Sequence, residues 1–310
     1  MENSTKSANI GVFRSTCDVR SHQDHLPPVV PTLLIINIVI NSIFACMTVI
    51  GNILILISLR RTSRVHAASK ALYLSLAMAD LGVGIFVQPV FVIRLVAARR
   101  GLTEVCRLAG NIIDVAGVIT VGVSLQTLSV ISVDRVLAIR LKIRYREVAT
   151  ANRTRIALLI CWCTSALQGV SFFINTAFYN MYQVVGISFC ICVSSISYLI
   201  IFRNLRILQN QIQNYSPESI SNSSFNIKRY KKSVSTALWV YASLLGCFVP
   251  YIPSVAIRLS VGVSATNLAI HWFTVTLLYA NSVLNPILYC WKIQAVRDSV
   301  KEIIKLRWSG

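Results

Sequence analysis

Seven apolar stretches, each near or above the roughly 20 residues an α-helix needs to cross a bilayer, leave this chain few folds to choose from. They run over 32–59, 70–97, 106–139, 154–175, 181–207, 232–259 and 266–291. In hydrocarbon every backbone N–H and C=O must be satisfied within its own segment, so such runs become helices and their polar residues turn toward one another. The expected fold is an all-α membrane protein, a seven-transmembrane helix bundle. Residues 1–31 form an extracellular amino-terminal segment, 32–291 the bundle, and 292–310 a short amphipathic cytoplasmic helix and tail. In that last part Ile293, Val296, Val300, Ile303 and Ile304 recur at helical spacing, with Lys292, Arg297, Lys301 and Lys305 between them. The pattern is that of a helix lying along the inner leaflet.

The charge supports the same reading. Only 13% of the residues are charged, against about 25% in soluble domains. The formal charge of +19 would suggest nucleic acid as a partner, but its distribution argues otherwise. By position, 22 of the 30 Lys and Arg follow odd-numbered stretches: Arg60, Arg61, Arg64 and Lys70, then Arg135 through Arg155, Arg203 through Lys232, and the tail. Basic residues accumulate on the cytoplasmic side, so the amino terminus is expected outside. Charge scattered over four loops forms no nucleic-acid face. Residues 1–30 lack the apolar core of a signal peptide, so the first stretch is expected to stay as an anchor. Asn3, in Asn3-Ser4-Thr5, is a glycosylation candidate on that side.

Ionisable groups inside such stretches mark function, because each must face a cavity or a partner. Those singled out here are Asp80, Asp114 and the pair Asp134-Arg135. Around them a series falls in order along the chain: Gly51-Asn52, Leu76-Ala-Met-Ala-Asp80, Asp134-Arg135-Val136, a lone Trp162, Cys247-Phe-Val-Pro250 and Asn285-Pro-Ile-Leu-Tyr289. From about residue 32 to 306 this resembles the rhodopsin-like (class A) G-protein-coupled receptors, with a weaker similarity to melanocortin and adenosine receptors. The resemblance implies a receptor, not an enzyme, that passes extracellular ligand binding to a heterotrimeric G protein. A seven-helix protein without such coupling, transporter-like or a decoy, is the alternative; it would carry more deep charges than Asp80 and Asp114.

The resemblance also implies residue roles. Arg135, held by Asp134 at rest, turns when freed to the G protein and to Tyr198 and Tyr289. Pro250 and Pro286 remove backbone hydrogen bonds and weaken the sixth and seventh helices. Phe248 and Asn285 belong to the same switch, and Ile143 meets the G protein. The ligand pocket is expected at Asp114, Val118, Val121, Phe248, Tyr251, Ile252, Val255, Val275 and Tyr279. It reads as apolar and aromatic with few charges, open to a small molecule, a lipid or a peptide. Asp80, Ser124, Asn281, Ser282 and Asn285 match residues that hold an allosteric sodium ion; the alternative is a neutral Asp80 in a hydrogen-bonded network without an ion. No cofactor is expected beyond it. Departures include Val136 for the usual tyrosine, Phe248 for the usual tryptophan, and no acid at Tyr230 to pair with Arg135. A weak lock and basal signalling follow. Seven cysteines lie within expected helices, and only Cys17 and Cys106 lie near the oxidising outside, either as a disulfide that pins the amino-terminal segment over the pocket or as two free thiols. Enzyme motifs are missing: no His-Glu-x-x-His, glycine-rich phosphate loop or Gly-x-Ser-x-Gly occurs.

Overall fold

The computed structural model describes residues 17, 29–63, 65–213, 239, 241–261, 264–292 and 294–308. Asn3, Tyr230 and Ile293 lie outside the described residues. Seven helical spans are long and apolar enough to cross a membrane: Val30–Arg61, Ala67–Arg100, Thr103–Val148, Ala151–Ile174, Thr176–Asn204, Tyr241–Arg258 and Ala265–Cys290. All regular structure among the described residues is helical.

The third span is the axis of the bundle, packing against the second, fourth and fifth and touching the seventh. Its own Leu128 is buried, as are Leu76, Phe91, Phe248 and Trp272 of other spans. Ile43, Ile50, Leu159, Leu167 and Phe189 are exposed on the outer faces, where lipid rather than water makes an apolar surface stable. Close approach is secured by small residues. A Cβ on Gly84 would come within 2.9 Å of Thr48, and one on Gly51 within 3.0 Å of Pro286.

Local chemistry explains where the helices depart from ideality. The second span carries a π-helical segment, Val83–Val87, immediately before Pro89. Proline has no N–H to give, and the Gln88 N–H reaches back to the Val83 carbonyl, one residue further than in an α-helix. Each extra residue turns the helix beyond it by about 100°. Pro250 interrupts the sixth span, where a helix restarts at Tyr251–Ser260, while Pro286 lies inside the seventh helix.

The third span runs on past the expected limit of 139. It passes Lys142, whose φ is 46°, into a 3-10 turn Lys142–Arg144 and a last helical turn Tyr145–Val148. A single residue, Asn175, joins the fourth and fifth spans. Its Oδ1 accepts from the N–H groups of Ala177 and Phe178 at 2.8 and 3.1 Å, capping the new helix as the old one ends. The terminal helix Gln294–Trp308 buries Val296 and Val300 and exposes Lys301 and Glu302. It is tied to the first span by the Ser58 hydroxyl, which donates to the Val296 carbonyl at 3.2 Å.

Candidate functional site

Near one end the spans part around a cavity of about 980 Å³. Of the expected pocket residues, Asp114, Val118, Val121, Phe248, Tyr251, Val275 and Tyr279 line it. Ile252 and Val255 do not. Val255 is wholly buried in the core and Ile252 packs against it, because the helix restarting after Pro250 turns Tyr251, not its neighbours, to the cavity. The wall also holds groups the sequence did not reveal as cavity residues: Arg94, Arg258, His271 and Gln183. The pocket is therefore more charged than an apolar, aromatic reading allows. Tyr251 donates to Gln183 Oε1 at 2.9 Å, and Tyr179 donates to the Asp114 backbone carbonyl at 2.7 Å. Ser254 joins His271 Nδ1 at 3.1 Å and Thr274 at 2.9 Å.

Below the cavity the second, third and seventh spans meet in a polar centre. The hydroxyls of Ser124 and Ser282 each donate to Asp80 Oδ1 at 2.8 Å, and Asn285 Nδ2 donates to Oδ2 at 2.8 Å. Asn52 Nδ2 donates to the Ser282 carbonyl at 3.2 Å, binding the first span to the seventh. Asn281 is buried nearby in sequence, and its Oδ1 has no partner. Carboxylate, hydroxyl and amide oxygens form a donor set suited to a small hard cation, so the residues fit sodium by chemistry. They equally satisfy Asp80 by direct hydrogen bonds.

At the far end, where the basic loops gather, Asp134 is the hub of a cluster. Arg135 Nη2 donates to Asp134 Oδ2 at 2.7 Å and to Ser69 Oγ at 2.9 Å. Tyr145 donates to Asp134 Oδ1 at 2.7 Å, and Ser69 to Oδ2 at 3.2 Å. The guanidinium also stands 6.0 Å from the centre of the Tyr73 ring. Ser69, Tyr73 and Tyr145 are additions to the expected pair. Tyr198 and Tyr289 are buried, and neither is hydrogen-bonded to Arg135. Tyr198 lies against Tyr241 with ring centres 4.8 Å apart; Tyr289 lies against Tyr73 at 4.9 Å, its hydroxyl unpartnered. Ile143 projects from the 3-10 turn at 92% exposure, an apolar side chain held outward.

Cys17 and Cys106 form a disulfide, with Cα atoms 5.8 Å apart. The bridge brings Cys17 to the start of the third span. Trp162 holds the fourth span to the second through an Nε1–H donated to Ser75 Oγ at 3.2 Å.

Residues 51–190 match the family model described as the 7 transmembrane receptor (rhodopsin family). The chain is 23% identical over 290 residues to adenosine receptor A3 of Bos taurus, a match covering 83% of this chain and 86% of that receptor. It is 26% identical over 275 residues to the histamine H2 receptor of Homo sapiens, covering 81% and 74%. To adenosine receptor A2a of Canis lupus familiaris it is 22% identical over 314 residues, covering 87% and 72%.

Proposed function

We propose that this chain is a rhodopsin-like (class A) G-protein-coupled receptor, a multi-pass plasma-membrane protein that responds to an extracellular ligand by activating a heterotrimeric G protein. The observation that carries the working model is the placement of three polar groups along one helix. Asp114 in the cavity, Ser124 on Asp80 and Arg135 at the basic end all belong to the third span. At 1.5 Å per residue, Asp114 and Arg135 stand about 30 Å apart.

In this reading the amino terminus is outside, the cavity opens toward it, and the Arg135 cluster faces the cytoplasm. The bias of Lys and Arg toward that cluster's side supports the orientation. The ligand contacts Asp114, Val118, Val121, Tyr251, Val275 and Tyr279 and presses on Phe248. Pro250 and Pro286 give the sixth and seventh spans the points at which they swing. Arg135 then leaves Asp134, Ser69 and Tyr145 and becomes available to the G protein, with Tyr198 and Tyr289 as its new neighbours and Ile143 as an apolar contact. A ligand drives this only by binding the open state more tightly than the closed one.

Sodium, where bound, would be held by Asp80, Ser124, Asn281, Ser282 and Asn285, and would supply positive charge that favours an ionised Asp80. The oxygen-rich surroundings of Asp80, with Ser124 and Ser282 on Oδ1 and Asn285 on Oδ2, support that assignment. The names adenosine and histamine belong to the relatives; two different ligands at such similar identities transfer neither to this chain.

The decisive test is Arg135→Ala. Its nucleotide exchange should fall to background at unchanged surface expression, measured by GTPγS binding in membranes. Full exchange by that variant at wild-type surface density would remove Arg135 from the mechanism.

A further inference from the structure

We propose that the cavity takes an anionic amphiphile. Its acid head group is held by Arg94 and Arg258, and its apolar tail leaves the bundle sideways between the fourth and fifth spans. This rests on the cavity being the ligand site.

The head-group assignment follows from unbalanced charge. Arg94 is 7% exposed, lines the cavity, and has an Nε without any hydrogen-bond partner. Its guanidinium lies on the bare face of Gly110, where an added Cβ would meet Cζ at 3.2 Å. Arg258 lines the same space, and Asp114 and His271 share that wall with the two guanidinium groups. Among the described residues neither arginine lies within 4.0 Å of a carboxylate. Two fixed cations facing one carboxylate leave a net positive charge in a site of low dielectric, and a buried charge of this kind calls for a counter-ion. The buried Trp272 Nε1, also unpartnered and on the same wall, adds a second donor seeking an acceptor. Carboxylate and phosphate oxygens are acceptors only and match the guanidinium fork. A cationic ligand on Asp114 would instead stand between two like charges.

The tail assignment follows from where the wall is missing. Ile160, Val185 and Phe189 line the cavity and are yet 57%, 60% and 67% exposed on the outside of the bundle. Gly186, between the last two, has open space where a Cβ would stand. Val121 and Leu125 of the third span form the floor of the gap. At membrane depth this opening meets acyl chains, so an apolar tail passes through it without entering water. Fatty acids and single-chain phospholipids share the required chemistry.

Membranes carrying the full-length receptor are photolabelled with a diazirine analogue of palmitic acid and, separately, of lysophosphatidic acid, which tells a carboxylate head from a phosphate. At least one should label saturably, with the adduct in the fifth span around Val185 and Phe189. The matching acid should compete about tenfold or more better than its neutral methyl ester or monoacylglycerol. Arg94→Gln and Arg258→Gln should each weaken labelling about tenfold or more, and Arg258, only half-buried, supplies the answer if the Arg94 variant fails to reach the surface. Equal competition by neutral and acidic lipids, wild-type labelling by a correctly expressed Arg258→Gln, or no saturable labelling by either probe would overturn the head group. Competition by butyrate as strong as by palmitate would overturn the tail. Labelling is read without a G protein. A receptor that labels as expected but fails to exchange nucleotide therefore refutes the coupling mechanism and leaves this assignment standing, whereas one that exchanges nucleotide but does not label refutes this assignment alone.

Discussion

Tyr145→Phe should raise basal signalling. The change removes the hydroxyl that donates to Asp134 Oδ1 at 2.7 Å and lies 3.3 Å from Ser69 Oγ. It leaves the ring that packs against His66 at 5.4 Å. A hydrogen bond to an ionised partner contributes about 1.5–3 kcal/mol. Tyr145 is half-buried, so water replaces part of that, and a loss of about 1.4 kcal/mol is the reasonable expectation. If the bond exists only in the closed state, the whole loss enters the closed-to-open ratio, and about 1.4 kcal/mol is tenfold. A receptor resting with roughly one molecule in a hundred open would then rest near one in ten. Agonist-free GTPγS binding, normalised to surface receptor, measures the ratio directly. Basal exchange per receptor equal to or below wild type would refute the argument that Asp134 is the hub of the lock. Ser69→Ala should act in the same direction, and the double variant should fall short of the sum, since both hydroxyls serve the same carboxylate.

Sodium added at constant ionic strength should lower basal exchange in the wild type, and Asp80→Asn should abolish that response; an identical sodium dependence in the two would show that Asp80 holds no ion. Cys17 should resist thiol labelling on intact cells until a reductant is added, because it is bridged to Cys106; labelling without reductant would contradict the bridge. Gly84→Ala should lower the melting temperature of the detergent-solubilised receptor by several degrees, since its Cβ would press to 2.9 Å on Thr48, and overpacking of this kind costs about 1–3 kcal/mol. An unchanged melting temperature would mean that the first and second spans separate freely there.

The bundle was legible because lipid enforces it: hydrophobic length alone marks a span, and one polar motif per span marks its inner face. The contacts of Asp80 with Ser124, Ser282 and Asn285 were legible for the same reason, as each is a polar group that must find another. Arg94 escaped because its direction depends on the π-helical segment Val83–Val87, which rotates everything beyond it, and no periodicity in the sequence announces that extra residue. Tyr145 escaped because it reaches Asp134 only through the irregular turn at Lys142, whose positive φ breaks the helical count between them. Ile252 and Val255 were placed at the pocket by resemblance alone; from the helix Tyr251–Ser260 it is Tyr251 and Arg258 that line the cavity.

The single-residue joint at Asn175 gives the receptor a mechanical asymmetry. It holds the ends of the fourth and fifth spans within a few residues' reach of each other. The other end of the fifth span is connected to the sixth by a much longer stretch of chain, from Asn204 to Tyr241. Two rods pinned at one end behave as tongs: the pinned ends trade little distance, and displacement grows along the rods away from the pin. Any ligand wedged between these helices near the pin therefore moves their far ends by more than it moves the helices at its own level, so the joint sets the gain between a small separation in the cavity and a large one at the opposite end of the bundle.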